Sequence, residues 1–124
     1  MARQVLPQEV IHMDARYNLA RAALFSASLL QGKLGNIRIA VGDRLHQPYR
    51  MELIAHAQEV FQKSYELGAY GVYVSGAGPT MMAIVDGQDA AFAGRLRAYL
   101  GGLELDGWEI RELSIDNVGT IVET

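Results

Sequence analysis

Residues 70–87, YGVYVSGAGPTMMAIVDG, decide the fold. Tyr70 to Val74 and Met81 to Val85 are short apolar runs of the length and composition of strands. Between them lies Ser75 to Thr80, which holds two glycines and a proline, and Asp86-Gly87 supplies a turn after the second run. Strands joined by so short a loop pair antiparallel, because a parallel return needs a crossover of a dozen or more residues. The stretch therefore predicts a hairpin with a glycine loop at its tip.

Outward from the hairpin the period changes from two to about 3.6. Met51 to Gly68 places Ile54, Ala57, Phe61 and Tyr65 on one helical face and Glu59, Gln62, Lys63 and Glu66 mostly on the other. Ala90 to Leu100 predicts a helix with Phe92, Leu96 and Leu100 inward, ended by Gly101-Gly102. Trp108 and Ile110 alternate as a strand, but the apolar phase then shifts to Leu113 and Ile115, which calls for a bulge near Arg111-Glu112. A last strand is expected over about Val118 to Val122. Upstream, His12 to Gln31 reads as a helix with Met13, Tyr17, Ala20, Leu24 and Ala27 inward and Gly32 as its stop. Its other side is only weakly polar, so cover on most faces is expected. Leu34 to Gly42 is helical or extended, Asp43 to Arg50 is a loop or helix end interrupted by Pro48, and the first ten residues are extended around Pro7. Helices, hairpin, helix, hairpin is the order of an α+β domain, an antiparallel sheet with helices packed on one face.

Composition fits one domain over residues 1–124. Half the residues are hydrophobic and 20% are charged, enough for a core. No linker, repeat or low-complexity tract interrupts the chain. Eleven basic against fourteen acidic residues give a net charge of −3, which argues against a nucleic-acid binder. The absence of cysteine excludes disulfides, thiolate metal sites and cysteine nucleophiles. The greasiest run, Leu19 to Leu30, contains Arg21, Ser26 and Ser28, and as a helix it would reach only about 18 Å, short of a membrane's hydrocarbon core. With no signal-like N-terminus, a cytoplasmic protein without membrane partners is expected.

Two stretches carry possible chemistry. In VSGAGPT (74–80) the glycines permit positive φ and let backbone N–H groups form an anion nest. The stretch matches neither the Walker phosphate loop nor G-x-G-x-x-G, and from local spacing alone a plain glycine-rich hairpin connection is the better reading. DRLHQPYR (43–50) gathers an acid, two arginines, a histidine and a tyrosine, a set able to grip a carboxylate, or simply a solvated connection with a local ion pair. Arg3 and Arg16 are further cations. His12, His46 and His56 lack metal-ligand spacing, and Ser75 lacks a nucleophile-elbow context.

Taken together, ARQVLP (2–7), DRLHQPYR (43–50) and SGAGPT (75–80) resemble, in this order, segments of bacterial homoserine kinases of the GHMP kinase superfamily. The glycine segment is similar to that superfamily's third motif, while H-Q-P-Y-R after D-R-L is much narrower. The resemblance implies a C-terminal, ferredoxin-like GHMP domain of an enzyme that moves the ATP γ-phosphoryl group, with Mg²⁺, to the hydroxyl of L-homoserine on the way to threonine. It implies Arg3 and Arg50 as a substrate-carboxylate clamp, His46 and Asp43 as support for the substrate loop, and Ser75, Gly76, Ala77, Gly78, Pro79 and Thr80 beside the ATP phosphate loop.

Only the C-terminal part of such a kinase is represented. The P-x-x-x-G-L-G-S-S-A-type phosphate loop, the magnesium carboxylate and the strand ahead of the A-R segment have no counterpart. The expectation is that this chain assigns no catalytic residue of its own, does not catalyse alone, needs an N-terminal kinase domain as partner, and self-associates through an exposed sheet edge. The alternative is a stand-alone amino-acid-binding or interaction module derived from a GHMP kinase.

Overall fold

In the computed structural model, residues 3–103 and 107–122 are described. Helix α1 spans His12–Leu30, a 3₁₀ turn at Leu34–Asn36 leads into α2 (Ile37–Ala40), and α3 is Gln47–Met51. Then come α4 (Ala57–Glu66), β1 (Gly71–Val74), β2 (Met81–Ile84) and α5 (Phe92–Gly102). The hairpin forms as read: β1 and β2 pair antiparallel with Tyr73 opposite Met82 and Val74 opposite Met81. This is a mixed α+β chain around a two-stranded sheet.

Side-chain alternation along β1 builds the core. Val72 packs with Val60, Ala69, Phe92, Leu96 and Leu100, so one face of the strand receives α4 and α5. Val74 joins Ile54 and Ala57 in an adjoining cluster, and Met51, Phe61, Met81 and Trp108 close over it. On the opposite side α2 comes so near that a Cβ on Gly71 would lie 2.5 Å from Ile37 Cγ2. The outer edge of β1 is blocked by side chains: Val72 N–H donates to the Tyr65 hydroxyl at 3.1 Å and Val74 N–H to Gln47 Oε1 at 2.7 Å.

Several expectations are corrected. The helix foreseen from Met51 begins at Ala57, because consecutive turns at Leu53, Ile54 and Ala57 bend the chain first and bring both Ile54 and Ala57 into the core. Its N-cap, His56, has left-handed backbone with φ 59°. Of the opening ten residues, 1–2 lie outside the described residues, and 3–6 are not extended; Leu6 N–H reaches back to Arg3 O at 3.4 Å in a turn.

Helix α1 is not covered on most faces. Ser28 is its one buried residue, while Leu19 is 73% and Leu30 89% exposed. Its inner face runs through Asp14, Tyr17, Asn18, Arg21, Leu24, Phe25 and Ser28, one step away from the predicted stripe. Met13, Ala20 and Ala27 point outward instead. The helix is apolar nearly all round, so hydrophobic period gives no phase, and polar contacts at Asn18 and Asp14 set it.

Finally, the described residues 107–122 form no strand, so neither the second hairpin nor the bulge at Arg111-Glu112 exists there. Trp108 and Ile110 do keep their alternation and lie against the core. Beyond them Leu113, Ile115, Val118, Ile121 and Val122 are all more than 70% exposed.

Candidate functional site

The segment 43–50 is folded around one carboxylate. Asp43 Oδ2 accepts the N–H of His46 at 2.7 Å and of Gln47 at 2.6 Å, which caps the start of α3 from four residues back. Asp43 Oδ1 accepts the Asn18 amide, and Asn18 in turn takes the Arg44 N–H at 2.9 Å, so α1 holds the loop. Burial pushes the Asp43 carboxyl up, but the backbone donors Gln47 and His46, the Asn18 amide and the His46 ring outweigh it, and the net direction is down. Pro48 sits in the first turn of α3, where its missing N–H breaks no helical bond.

Gln47 ties this loop to the sheet. It is 7% exposed, its amide nitrogen donates to Val41 O at 3.0 Å, and its oxygen takes the Val74 N–H just before the glycine loop. With α3 fixed in this way, the Arg50 guanidinium reaches the loop itself and donates to Gly76 O. His46 lies one helical turn back, with Nδ1 3.5 Å from the same guanidinium nitrogen and Nε2 3.7 Å from Asp43 Oδ1.

The loop 75–80 is closed by Ser75 N–H to Thr80 O at 2.9 Å and Gly78 N–H to Ser75 O at 3.0 Å. Both glycines use positive φ, +55° at Gly76 and +74° at Gly78, and the Gly78–Pro79 peptide is cis. The N–H groups of Gly76 and Ala77 have no hydrogen-bond partner among the described residues. Ser75, Gly76, Ala77, Pro79 and Thr80 are exposed, and Gly78 is half-buried. A guanidinium beside a loop of exposed residues with backbone N–H groups to offer is an arrangement able to attract an anion.

Six predicted positions, His46, Arg50, Ser75, Gly76, Ala77 and Gly78, thus meet at one end of the hairpin, with Pro79 and Thr80 completing the loop. Arg3 is exposed in its turn, and its side chain makes no hydrogen bond with the described residues. Asn18 and Gln47 were not singled out from sequence, although an asparagine in an otherwise apolar helix and a glutamine before Pro48 were the available signals. Two shallow hollows, of about 330 Å³ along α4 and about 580 Å³ against α1, lie apart from Arg50 and the loop. Among the described residues there is no group of three His, Asp or Glu able to hold a metal ion, and no helix long and apolar enough to cross a membrane.

Comparison with known proteins gives this geometry a setting. Residues 22–100 match the family described as GHMP kinases C terminal. The homoserine kinase of Clostridium beijerinckii is 50% identical over 125 residues, a match covering 98% of this chain and 41% of the relative. That of Clostridium botulinum (strain Alaska E43 / Type E3) is 46% identical over 121 residues, covering 98% and 40%. The crystal structure of homoserine kinase from Cytophaga hutchinsonii superposes with a TM-score of 0.75 at 25% identity, over 82% of this chain and 33% of that one. The chain therefore spans about two-fifths of the length of the curated relatives it matches. It belongs to the GHMP kinase family and carries that family's C-terminal domain.

Proposed function

We propose that the chain supplies the amino-acid half of a homoserine kinase site, in which Arg50, oriented by Gly76 O and His46, holds the substrate carboxylate. The observation that carries this reading is the Arg50–Gly76 contact, which joins the two sequence segments most like those of homoserine kinases. A guanidinium presents its N–H donors as a planar fork that matches a carboxylate in two parallel bonds. Anchoring the amino acid at that end would direct its side-chain hydroxyl away from Arg50, toward a phosphoryl donor, and positioning of this kind supplies a large part of a phosphoryl transfer. Arg3, exposed in its turn, is the second arginine of the proposed clamp.

ATP is the donor expected for a kinase of this family. The described residues do not fit a Mg²⁺ site, since no cluster of carboxylates converges there. No step through the metal is assigned to this chain; its cradle, like the phosphate loop, belongs to an N-terminal domain of the kind that the longer relatives have room for. The chain alone is therefore expected to be inactive.

The test is homoserine-dependent ADP release, measured on this chain alone and on the chain joined behind the N-terminal part of the Clostridium beijerinckii relative. Activity is expected only in the joined protein. Arg50→Ala should raise its KM for homoserine about 10- to 100-fold, the loss of a charge-assisted hydrogen-bonded contact worth about 1.5–3 kcal/mol. Turnover by the chain alone, or an unchanged KM in Arg50→Ala, would overturn the assignment.

A further inference from the structure

Helix α1 is apolar on nearly every side, yet one of its inward positions carries an amide. Asparagine is a poor helix former, and its side chain is costly to bury unless it is paired. Asn18 is half-buried and paired twice: its nitrogen donates to Asp43 Oδ1, and its oxygen accepts the Arg44 N–H at 2.9 Å. One amide thus grips two successive residues of the 43–50 loop, 25 and 26 positions away along the chain. Two bonds of this kind fix the rotation of the loop on α1 as well as its place.

The Asp43 carboxylate passes this anchorage on. Its side chain is only 7% exposed, and its oxygens are divided between two elements. Oδ1 takes Asn18 of α1, and Oδ2 takes the N–H groups of His46 and Gln47 at the start of α3. Helix α3 has five residues, too few to hold a position by itself. Its placement comes from Gln47, pinned to β1, and from Asp43, pinned to α1. Arg50 stands about one turn beyond Gln47, where its guanidinium meets Gly76 O and lies 3.5 Å from His46 Nδ1. We propose that Asn18 is a positioning residue of the substrate site: through Asp43 it sets the place of α3 and so aims Arg50 at the substrate carboxylate. The inference rests on the functional reading above, whose Arg50 it supplies with a distant support. The hydrogen bonds of Asn18 go to Asp43 and Arg44, so its effect on Arg50 runs through Asp43.

In the joined kinase, Asn18→Ala should raise KM for homoserine about 3- to 10-fold and leave kcat within about twofold. Asn18→Asp sets a second carboxylate against Asp43 and should raise KM further. Adding Asp43→Asn to Asn18→Asp should bring KM most of the way back. In the exchanged pair the carboxylate on α1 still accepts the Arg44 N–H, while the amide at position 43 donates to it and keeps its oxygen for α3. A merely structural asparagine would not show recovery on loss of the capping carboxylate as well. An unchanged KM in Asn18→Ala, or an exchanged pair no better than Asn18→Asp, would overturn the proposal. Arg50→Ala in the same protein separates the two readings. If it leaves KM unchanged, the clamp itself fails; if it raises KM while Asn18→Ala does not, only the positioning role fails. The chain alone gives a readout that needs no activity. The Ala77 amide belongs to the peptide whose carbonyl, Gly76 O, receives Arg50. Its NMR signal should move in Arg50→Ala, and Asn18→Ala should move it in the same direction. A signal that Asn18→Ala leaves in place would overturn the proposal whatever the joined kinase does.

Discussion

Burial by itself raises the Asp43 carboxyl, yet the N–H groups of Gln47 and His46 and the Asn18 amide bring it below the ordinary aspartate value of 3.8. The native state thus binds this proton more weakly than the unfolded chain does. Its contribution to stability is complete above about pH 4 and is lost as the pH falls through the lower native value. Asp43→Asn should cost about 2 kcal/mol at pH 7, for hydrogen bonds to a charged group, and the gap to the unsubstituted protein should close toward pH 2. Urea midpoints taken across that range test it, and a gap unchanged at low pH would contradict the role given to the carboxylate. Gln47 is the second hinge of the site. Gln47→Ala leaves the Val74 N–H and the Val41 carbonyl without their partner, at about 1–3 kcal/mol for each group left buried and unsatisfied. In the joined kinase it should also raise KM for homoserine, since α3 then no longer places Arg50 at the loop. A Gln47→Ala protein with undiminished stability would show that water replaces the amide.

Among the elements, the hairpin was legible because both of its strands and its turn carry independent local signals that agree. Gly71 shows how little room surrounds it: its missing Cβ would stand 2.5 Å from Ile37, which is itself fully buried. Gly71→Ala should destabilise the protein by about 1–3 kcal/mol through overpacking, whereas Gly87→Ala, in open space, should change little. Thermal midpoints of the two variants make the comparison, and equal values would mean that α2 moves aside freely. Helix α1 was legible in extent but not in phase. Its apolar residues surround the axis, so the inward side is chosen by Asn18 reaching Asp43 and Asp14 reaching Arg44, contacts between positions 25 and 30 residues apart. In the 43–50 segment the acid, the histidine and Arg50 were readable as a cluster; that Gly76 would be their target depends on Gln47 clamping α3 to β1. The strand pattern at Trp108 and Ile110 was real as alternation, but a strand also needs a partner edge. On one side of the sheet Tyr65 and Gln47 already occupy the donors of β1.

Across the whole molecule, stability should be concentrated between α4, the hairpin and α5, where the two core clusters adjoin. Trp108 is the outlying residue that touches both clusters, while the chain from Leu113 to Val122 lies out in solvent. Two variants that each remove apolar side chains should therefore have very different effects. Trp108→Ala removes a half-buried aromatic ring from the seam and should cost about 2–3 kcal/mol, somewhat below the range for a fully enclosed tryptophan. Leu113→Asn together with Ile115→Asn removes no packing and should stay within about 0.5 kcal/mol of the unsubstituted chain. Both are read from denaturant midpoints by circular dichroism, because Trp108 is the only tryptophan and cannot be its own probe once replaced. If the double asparagine variant were the more damaging of the two, residues 113–122 would have to be packed in solution. The unpaired alternation seen there would then be a strand of the folded chain, not a solvated tail.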